Sequence, residues 1–273
     1  MQDFYCDRER CIRCGLCVQA CARQALEADE EGAPFQSAAN VTQCNACGHC
    51  AAICPVEAVI APKNNGEGVM AFPASPVIGA AQGDAFLLSC RSMRRYKQDI
   101  VKEEEILSIL DVARKAPSAS NMQPVRWLVL RGKDNAARFS ELTLEWFDKI
   151  LRHDPVFGQR YNVDRLLESY RNGYDVILRG AVNAVVAITD KGSAWGPVDA
   201  SIAITYFCLA AHARGIGSCW SGFGMRAMEA YQPLRDFMGL DDSVTAQGMA
   251  FFGYPEISYQ AIPPRKPLQV SWL

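Results

Sequence analysis

Eight cysteines near the N-terminus have types and spacing that could do chemistry. Cys44, Cys47, Cys50 and Cys54 stand in the run CNACGHCAAICP, closed by Pro55. Cys11, Cys14, Cys17 and Cys21 (CIRCGLCVQAC) repeat that spacing, each 33 positions before its counterpart. Ala25 and Ala58 share the offset, so residues 1–61 read as a duplicated unit. Three thiolates at i, i+3 and i+6 wrap one face of an iron–sulfur cube, and the fourth, after a longer gap, ligates the other cube. The spacing therefore assigns Cys11, Cys14, Cys17 and Cys54 to one [4Fe-4S] cluster and Cys44, Cys47, Cys50 and Cys21 to a second. Gly15 and Gly48 allow the tight backbone that turns N–H groups towards the sulfurs. Structural zinc asks for two knuckles of two thiols, not two runs of four. A disulfide framework needs an oxidising compartment, which nothing in the chain indicates. His49, inside the second run, reads as a solvated neighbour of the cluster, since four thiols already suffice.

A second group of stretches lies further on. Arg91-Ser92-Met93-Arg94-Arg95-Tyr96 puts guanidinium groups and a hydroxyl together, which suits a phosphate or polyol. Pro117-Ser118-Ala119-Ser120-Asn121-Met122-Gln123-Pro124 is a polar loop between prolines, and Gly215 to Phe223 (GIGSCWSGF) is a glycine turn. Pro263-Pro264-Arg265-Lys266-Pro267 brings two more cations near the C-terminus. Gly215 and Gly217 begin a dinucleotide fingerprint, but Trp220 takes the third glycine's place, so a Rossmann site is rejected. No acid–base pair or nucleophile constellation stands out, as expected where a cofactor does the hard chemistry.

The first stretch, residues 1–61, resembles the dicluster bacterial ferredoxins, with Ala22 where that family usually has proline. The four later stretches, in this order, resemble the nitroreductase family of flavoproteins over about residues 84–273. That resemblance implies FMN. Arg91, Ser92 and Arg94 would hold its phosphate and ribityl chain. Pro117, Ser118, Ala119 and Asn121, supported by Gln123, would pack on the isoalloxazine from the partner subunit of a homodimer. Backbone N–H groups of Ser221 and Gly222 would face the reactive flavin nitrogen, and Arg265, backed by Lys266, would close on the phosphate. Cys90 stands where many relatives have another arginine, and Ser221 where some have glutamate. The segment 142–174 offers no match for the family's mid-domain polar contact.

Elements must position these groups. The chain has 273 residues, 49% of them hydrophobic, with a net charge of −2, which gives no reason to expect nucleic acid. Residues 1–61 hold four basic and eight acidic side chains, net −4, and the remainder is net +2. The N-terminus lacks an apolar signal core and no apolar run reaches membrane-spanning length. Twelve cysteines fit a reducing cytoplasm, and Cys6, Cys90, Cys208 and Cys219 read as small core residues. Residues 62–83 read as a linker rich in proline, glycine and asparagine. Asp84 is expected to cap a short helix, with further helices over 102–115, 134–152, 164–178, 199–214 and 225–238, the last restarted by Pro233. Residues 127–130, 184–188 and 245–253 read as strands. Trp127, Trp146 and Trp220 are expected mainly in core packing, His153 on the surface and His212 on a helix face.

The expected architecture is α+β: a small ferredoxin-like domain (1–61), a linker (62–83) and a nitroreductase-like α/β sandwich (84–273). The expected function is an iron–sulfur flavoprotein oxidoreductase passing electrons between [4Fe-4S] clusters and FMN. A reduced ferredoxin or NAD(P)H would supply them and a small electrophile, such as a nitroaromatic or quinone, would accept them. Two alternatives stand beside it. One is a non-enzymatic electron carrier or redox sensor; the other is a specialised relative, dehalogenase-like or flavin-destroying.

Overall fold

The computed structural model describes residues 4–61, 68–72 and 78–273. Much of the expected linker, including Pro62, Asn64, Asn65, Gly66, Pro73, Pro76 and Val77, lies outside the described residues. The chain divides into two compact units. The described residues up to Ile78, with Ala119–Met122, form one; Gly79–Ser118 and Gln123–Leu273 form the other.

The first unit is a duplicated half-motif. Strand β1 (Tyr5–Cys6) leads to α1 (Leu16–Gln19), β2 (Glu27–Ala28), β3 (Pro34–Phe35), α2 (His49–Ala52) and β4 (Val59–Ile60). β1 pairs antiparallel with β4, and β2 with β3. Its core of fully buried apolar residues is thin, centred on Cys17, Leu26 and Val59, with Cys21, Cys50 and Cys54 packed against it. So small a core needs bound metal for stability, because metal-binding free energy becomes folding free energy.

The second unit is built on a four-stranded antiparallel sheet. Its elements are α3 (Ala80–Ser89), α4 (Glu103–Ala113), β5 (Arg126–Arg131), α5 (Lys133–His153), α6 (Pro155–Tyr161), α7 (Val163–Arg171), β6 (Asn183–Asp190), α8 (Gly196–His212), β7 (Gly217–Trp220), α9 (Gly222–Ala230), α10 (Gln232–Phe237) and β8 (Val244–Gly253). The strand order is β5-β6-β8-β7. β6 is buried along all but its last residue, as a strand covered on both faces must be. Its side chains alternate: Ala184, Val186 and Ile188 join the core under α5 and α9, while Val185 and Ala187 join the core under α4 and α8. β8 does the same with Met249 and Phe251 on one face and Ala250 and Phe252 on the other. The α+β sandwich expected from sequence is therefore present. Among the described residues no helix is long and apolar enough to cross a membrane.

Several local expectations change. Asp84 does not cap the first helix: Gly79 does, and Asp84 sits exposed inside α3. The helix expected over 164–178 stops at Arg171, where Gly173 takes φ +84°. Asp175 then captures the amides of Ile177, Leu178 and Gly180 at 2.9–3.1 Å, a side-chain competition that helices lose. α6 was not anticipated; Asp154 caps it through the Phe157 amide at 2.9 Å, and Pro155 follows at the first helical position. The segment 225–238 divides at Tyr231, with Pro233 in the first turn of α10.

Candidate functional site

In the first unit the thiols gather in the interleaved sets. Cys11, Cys14, Cys17 and Cys54 line one hollow together with Ile12, Gly15, Leu16, Pro34, Val56 and Val59. Burial pushes the Cys50 thiol up to about 11, with lesser upward pushes from Cys47, Cys44 and Cys21 around it. Cys54 of the second run thus stands with the three thiols of the first. The backbone repeats with the sequence. Ala25 N–H donates to Cys21 Sγ and Ala58 N–H to Cys54 Sγ, both at 3.2 Å, so the two alanines at matching offset do the same work. Gly15 and Gly48, at φ +71° and +76°, start α1 and α2. Two further pairs at the same offset, Arg13 with Ala46 and Gln24 with Glu57, take positive φ without glycine, so the backbone strain repeats with the sequence. Donor set and amide geometry both fit iron–sulfur cubes. His49 is exposed.

In the second unit, Met93 N–H donates to Ser218 O at 2.9 Å, and Ser92 bridges Ser218 in parallel register. The segment 91–95 therefore runs along the free edge of β7. Arg91 Nε donates to the Cys90 carbonyl at 2.7 Å, and Arg94 Nη1 to Ser92 O at 3.4 Å, with the Cys219 thiol also next to Arg94. Neither forms an ion pair with a carboxylate among the described residues. Tyr259 OH donates to Ser92 O at 3.1 Å. Arg91 helps to hold the His212 pKa below its ordinary value, though burial is the larger cause.

Ser221 caps α9, accepting from Gly224 N–H at 3.3 Å. Its own N–H donates to Met249 O at 2.9 Å. Of the two amides expected to face a ligand, Ser221's is thus committed to the sheet. The Gly222 amide has no acceptor among the described residues, and nothing lies within 4 Å of where its Cβ would be. In the polar loop, Ser118 Oγ accepts from Gln123 N–H at 2.9 Å, and Ser120, Asn121 and Gln123 all take positive φ. Within the first unit, Asn121 Nδ2 donates to Asn45 O and Ala46 O at 3.3 Å each. Pro117 is exposed and Ala119 opens the short 3-10 turn Ala119–Asn121. Arg265 and Lys266 lie exposed in the tail beyond β8, which has no helix or strand.

Residues 87–254 match the nitroreductase family, and residues 10–58 match the 4Fe-4S dicluster domain. The chain belongs to the nitroreductase family. A putative NADH dehydrogenase/NAD(P)H nitroreductase of Archaeoglobus fulgidus is 29% identical over 171 residues, 61% of this chain and 81% of that protein. A ferredoxin of Pyrobaculum islandicum is 45% identical over 53 residues, 19% of this chain and 47% of that protein. The crystal structure of a nitroreductase from Desulfitobacterium hafniense, with bound FMN, superposes with a TM-score of 0.56 at 19% identity, covering 69% of this chain and 96% of that one.

Within the nitroreductase unit some sequence readings agree with the structure and others do not. Cys219, read as a core residue, is buried in β7 with burial raising its thiol and Arg94, Ser92 and Arg179 acting against that rise. Its neighbour Trp220 is 45% exposed rather than packed in the core, whereas Trp146 is buried. The segment 142–174 contributes Trp146, Phe147, Phe157 and Tyr161 to an aromatic cluster with Phe223, at centroid distances of 4.6–5.9 Å along the chain of contacts. Gly217, read as part of a turn, opens β7, and only glycine fits there: a Cβ would stand 2.8 Å from Met93 Cβ and Cγ.

Proposed function

We propose that the protein is an FMN-dependent iron–sulfur oxidoreductase that passes electrons between two [4Fe-4S] clusters and FMN and reduces a small electrophile such as a nitroaromatic or a quinone. The observation that carries this reading is that Arg91 and Arg94, without carboxylate partners among the described residues, lie on the segment bonded to β7, the strand that leads into the Gly222 amide at the start of α9, in a chain that also carries two runs of four cysteines. A flavin phosphate carries roughly two negative charges at neutral pH, by analogy with other phosphate monoesters. Each charge-assisted hydrogen bond to it is worth on the order of 1.5–3 kcal/mol. When bound, the clusters supply single electrons and FMN supplies them to a substrate in pairs.

The residues have separate tasks. Arg91, Ser92 and Arg94 would hold the phosphate and ribityl chain. The Gly222 N–H, at the positive end of α9, would orient and polarise the reactive flavin nitrogen, while Ser221 fixes the helix start that aims it. Arg265 would supply a further phosphate contact. Pro117, Ser118, Ala119 and Asn121 would pack on the ring system across the interface of a homodimer. A reduced ferredoxin or NAD(P)H in the cytoplasm is the proposed donor.

Anaerobic purification followed by iron, acid-labile sulfide and flavin analysis tests the cofactor content; the expected result is eight iron, eight sulfide and one FMN per chain, that is ~8 Fe from two cubes of four. Steady reduction of a nitroaromatic with a reduced donor separates an enzyme from a mere carrier. Zinc in place of iron, or a protein that takes up no flavin, would end the reading.

A further inference from the structure

The duplicated cysteine runs of the first unit are alike in spacing but not in what holds their loops. Asn45 and Ala46 stand between Cys44 and Cys47; Ile12 and Arg13 take the matching places between Cys11 and Cys14. The second loop is clasped by the turn Ala119–Asn121, which belongs to the same unit. Asn45 Nδ2 donates to Ser120 O at 3.1 Å, and Asn121 Nδ2 donates to Asn45 O and Ala46 O at 3.3 Å each. The clasp is reciprocal, since each asparagine gives its side-chain amide to the backbone of the other loop. Ser120 and Asn121 sit at φ +50° and +56°, a conformation that persists only where surrounding contacts over-determine it. The first loop lacks such a clasp among the described residues. Ile12, the counterpart of Asn45, has no side-chain donor and is 60% exposed, and Arg13 pairs with Glu31 at 3.1 Å. Thiol exposure does not rank the two runs, because Cys14 and Cys47 are both exposed. The hydrogen bonds do.

We propose that the cluster carried by Cys44, Cys47 and Cys50 is the flavin's immediate electron partner, and that Asn45 and Asn121 are positioning residues that fix its loop to the flavin-packing loop 117–124. This rests on the flavin reading above and deepens it. Residues 119–121 are the middle of that loop. The backbone between two ligands of the second cube is therefore one hydrogen bond away from the chain read as lying on the isoalloxazine. Hydrogen bonding and solvent exposure around the sulfurs set a cube's potential, so a change at the flavin loop is felt at this cube first. The open loop of Ile12 leaves the other cube to meet an external one-electron donor. Electrons enter there and pass to the second cube. Each of the two reduced cubes gives up one electron and returns to its oxidised form, and FMN takes up both electrons with one proton from water.

The test is a redox titration of anaerobically purified protein, with and without FMN, followed by electron paramagnetic resonance of the clusters. FMN should shift the potential of one cluster only, the one whose signal Cys47→Ser perturbs. The cluster perturbed by Cys14→Ser should titrate alike in both samples. A clasp that merely holds the fold together has no such selectivity. Flavin-free protein with prereduced clusters, mixed with FMN, then gives the rate of flavin bleaching. Asn45→Ile installs the residue that the first run carries at this place, so it should keep both cluster signals. It should slow the bleaching about tenfold or more, since small displacements between reacting partners are costly. A shift at the other cluster, at both equally or at neither overturns the assignment, and so does unchanged bleaching in Asn45→Ile. Each of these leaves the flavin reading intact, because FMN is bound when it is measured. A protein that takes up no FMN removes the flavin reading and this inference together.

Discussion

Met93 and Ser218 are joined by a backbone hydrogen bond of 2.9 Å, and through it the segment holding Arg91 and Arg94 is zipped to the edge of β7. β7 runs straight into Ser221 and α9. One short strand therefore positions both the cations and the Gly222 amide. Gly217 makes the junction possible, because any side chain there meets Met93 at the stem rather than at its flexible end. Gly217→Ala should destabilise the protein by about 1–3 kcal/mol, the ordinary cost of overpacking, and should also weaken flavin retention. Thermal unfolding and flavin content of the purified variant check both; a variant that melts and binds flavin as the wild type does would show that the junction tolerates a side chain.

His212 reports on the same field. Its imidazole contacts Ser89 Oγ at 2.8 Å and packs on Phe86, and its pKa lies below 6.5 through burial first and Arg91 second. The sign follows from linkage. The unfolded chain takes up this proton at higher pH than the folded one, so the contribution to stability is complete above 6.5 and is lost as pH falls through the depressed folded value. An anion bound at Arg91 offsets that positive charge, so FMN addition should raise the His212 pKa. The chain has three histidines, so NMR titration of the ring protons resolves it. A His212 pKa indifferent to FMN would separate Arg91 from the flavin phosphate.

The parts of the fold that were legible before the structure are those where burial sets a strict period. β6 and β8 read as apolar runs because both faces are covered, and α4 reads through Ile106 and Ala113, with Glu103 to Glu105 favourable at its start. The illegible parts are those where a distant contact decides. β7 hid behind Gly217, whose reason lies in Met93. Gly83 reads as a linker residue, yet it lies inside α3. The positive φ of Arg13, Ala46, Gln24 and Glu57 repeats at the cysteine offset, and only that offset hinted at it. The dicluster domain was legible because a repeated four-cysteine spacing is a matter of residue type and position, not of distant contacts.

The interleaving of the thiols has a spectroscopic consequence. Cys54 lines the hollow of Cys11, Cys14 and Cys17, although it belongs by sequence to the other run. Cys54→Ser and Cys11→Ser should therefore perturb the same cluster and leave the same surviving signal in electron paramagnetic resonance of the reduced protein. Cys21→Ser and Cys47→Ser should perturb the other. Pairing of Cys54→Ser with Cys47→Ser instead would mean that each run keeps its own cube.

Gly222 offers the sharpest separation of folding from binding. It opens α9, its amide lacks an acceptor, and the position of a Cβ there touches nothing within 4 Å. The protein itself gives no reason to exclude alanine at this site. Glycine in a helix costs roughly 0.5–1 kcal/mol relative to alanine, so Gly222→Ala should leave stability unchanged or raise it slightly. A planar ring lying against that amide would meet the new methyl group at van der Waals distance and be displaced from the N–H it needs. The expected result is a protein that melts at or above the wild-type temperature, keeps both clusters, and binds FMN and riboflavin with similarly reduced affinity, because the ring and not the phosphate is obstructed. Full flavin affinity in Gly222→Ala would place the isoalloxazine elsewhere than over the start of α9.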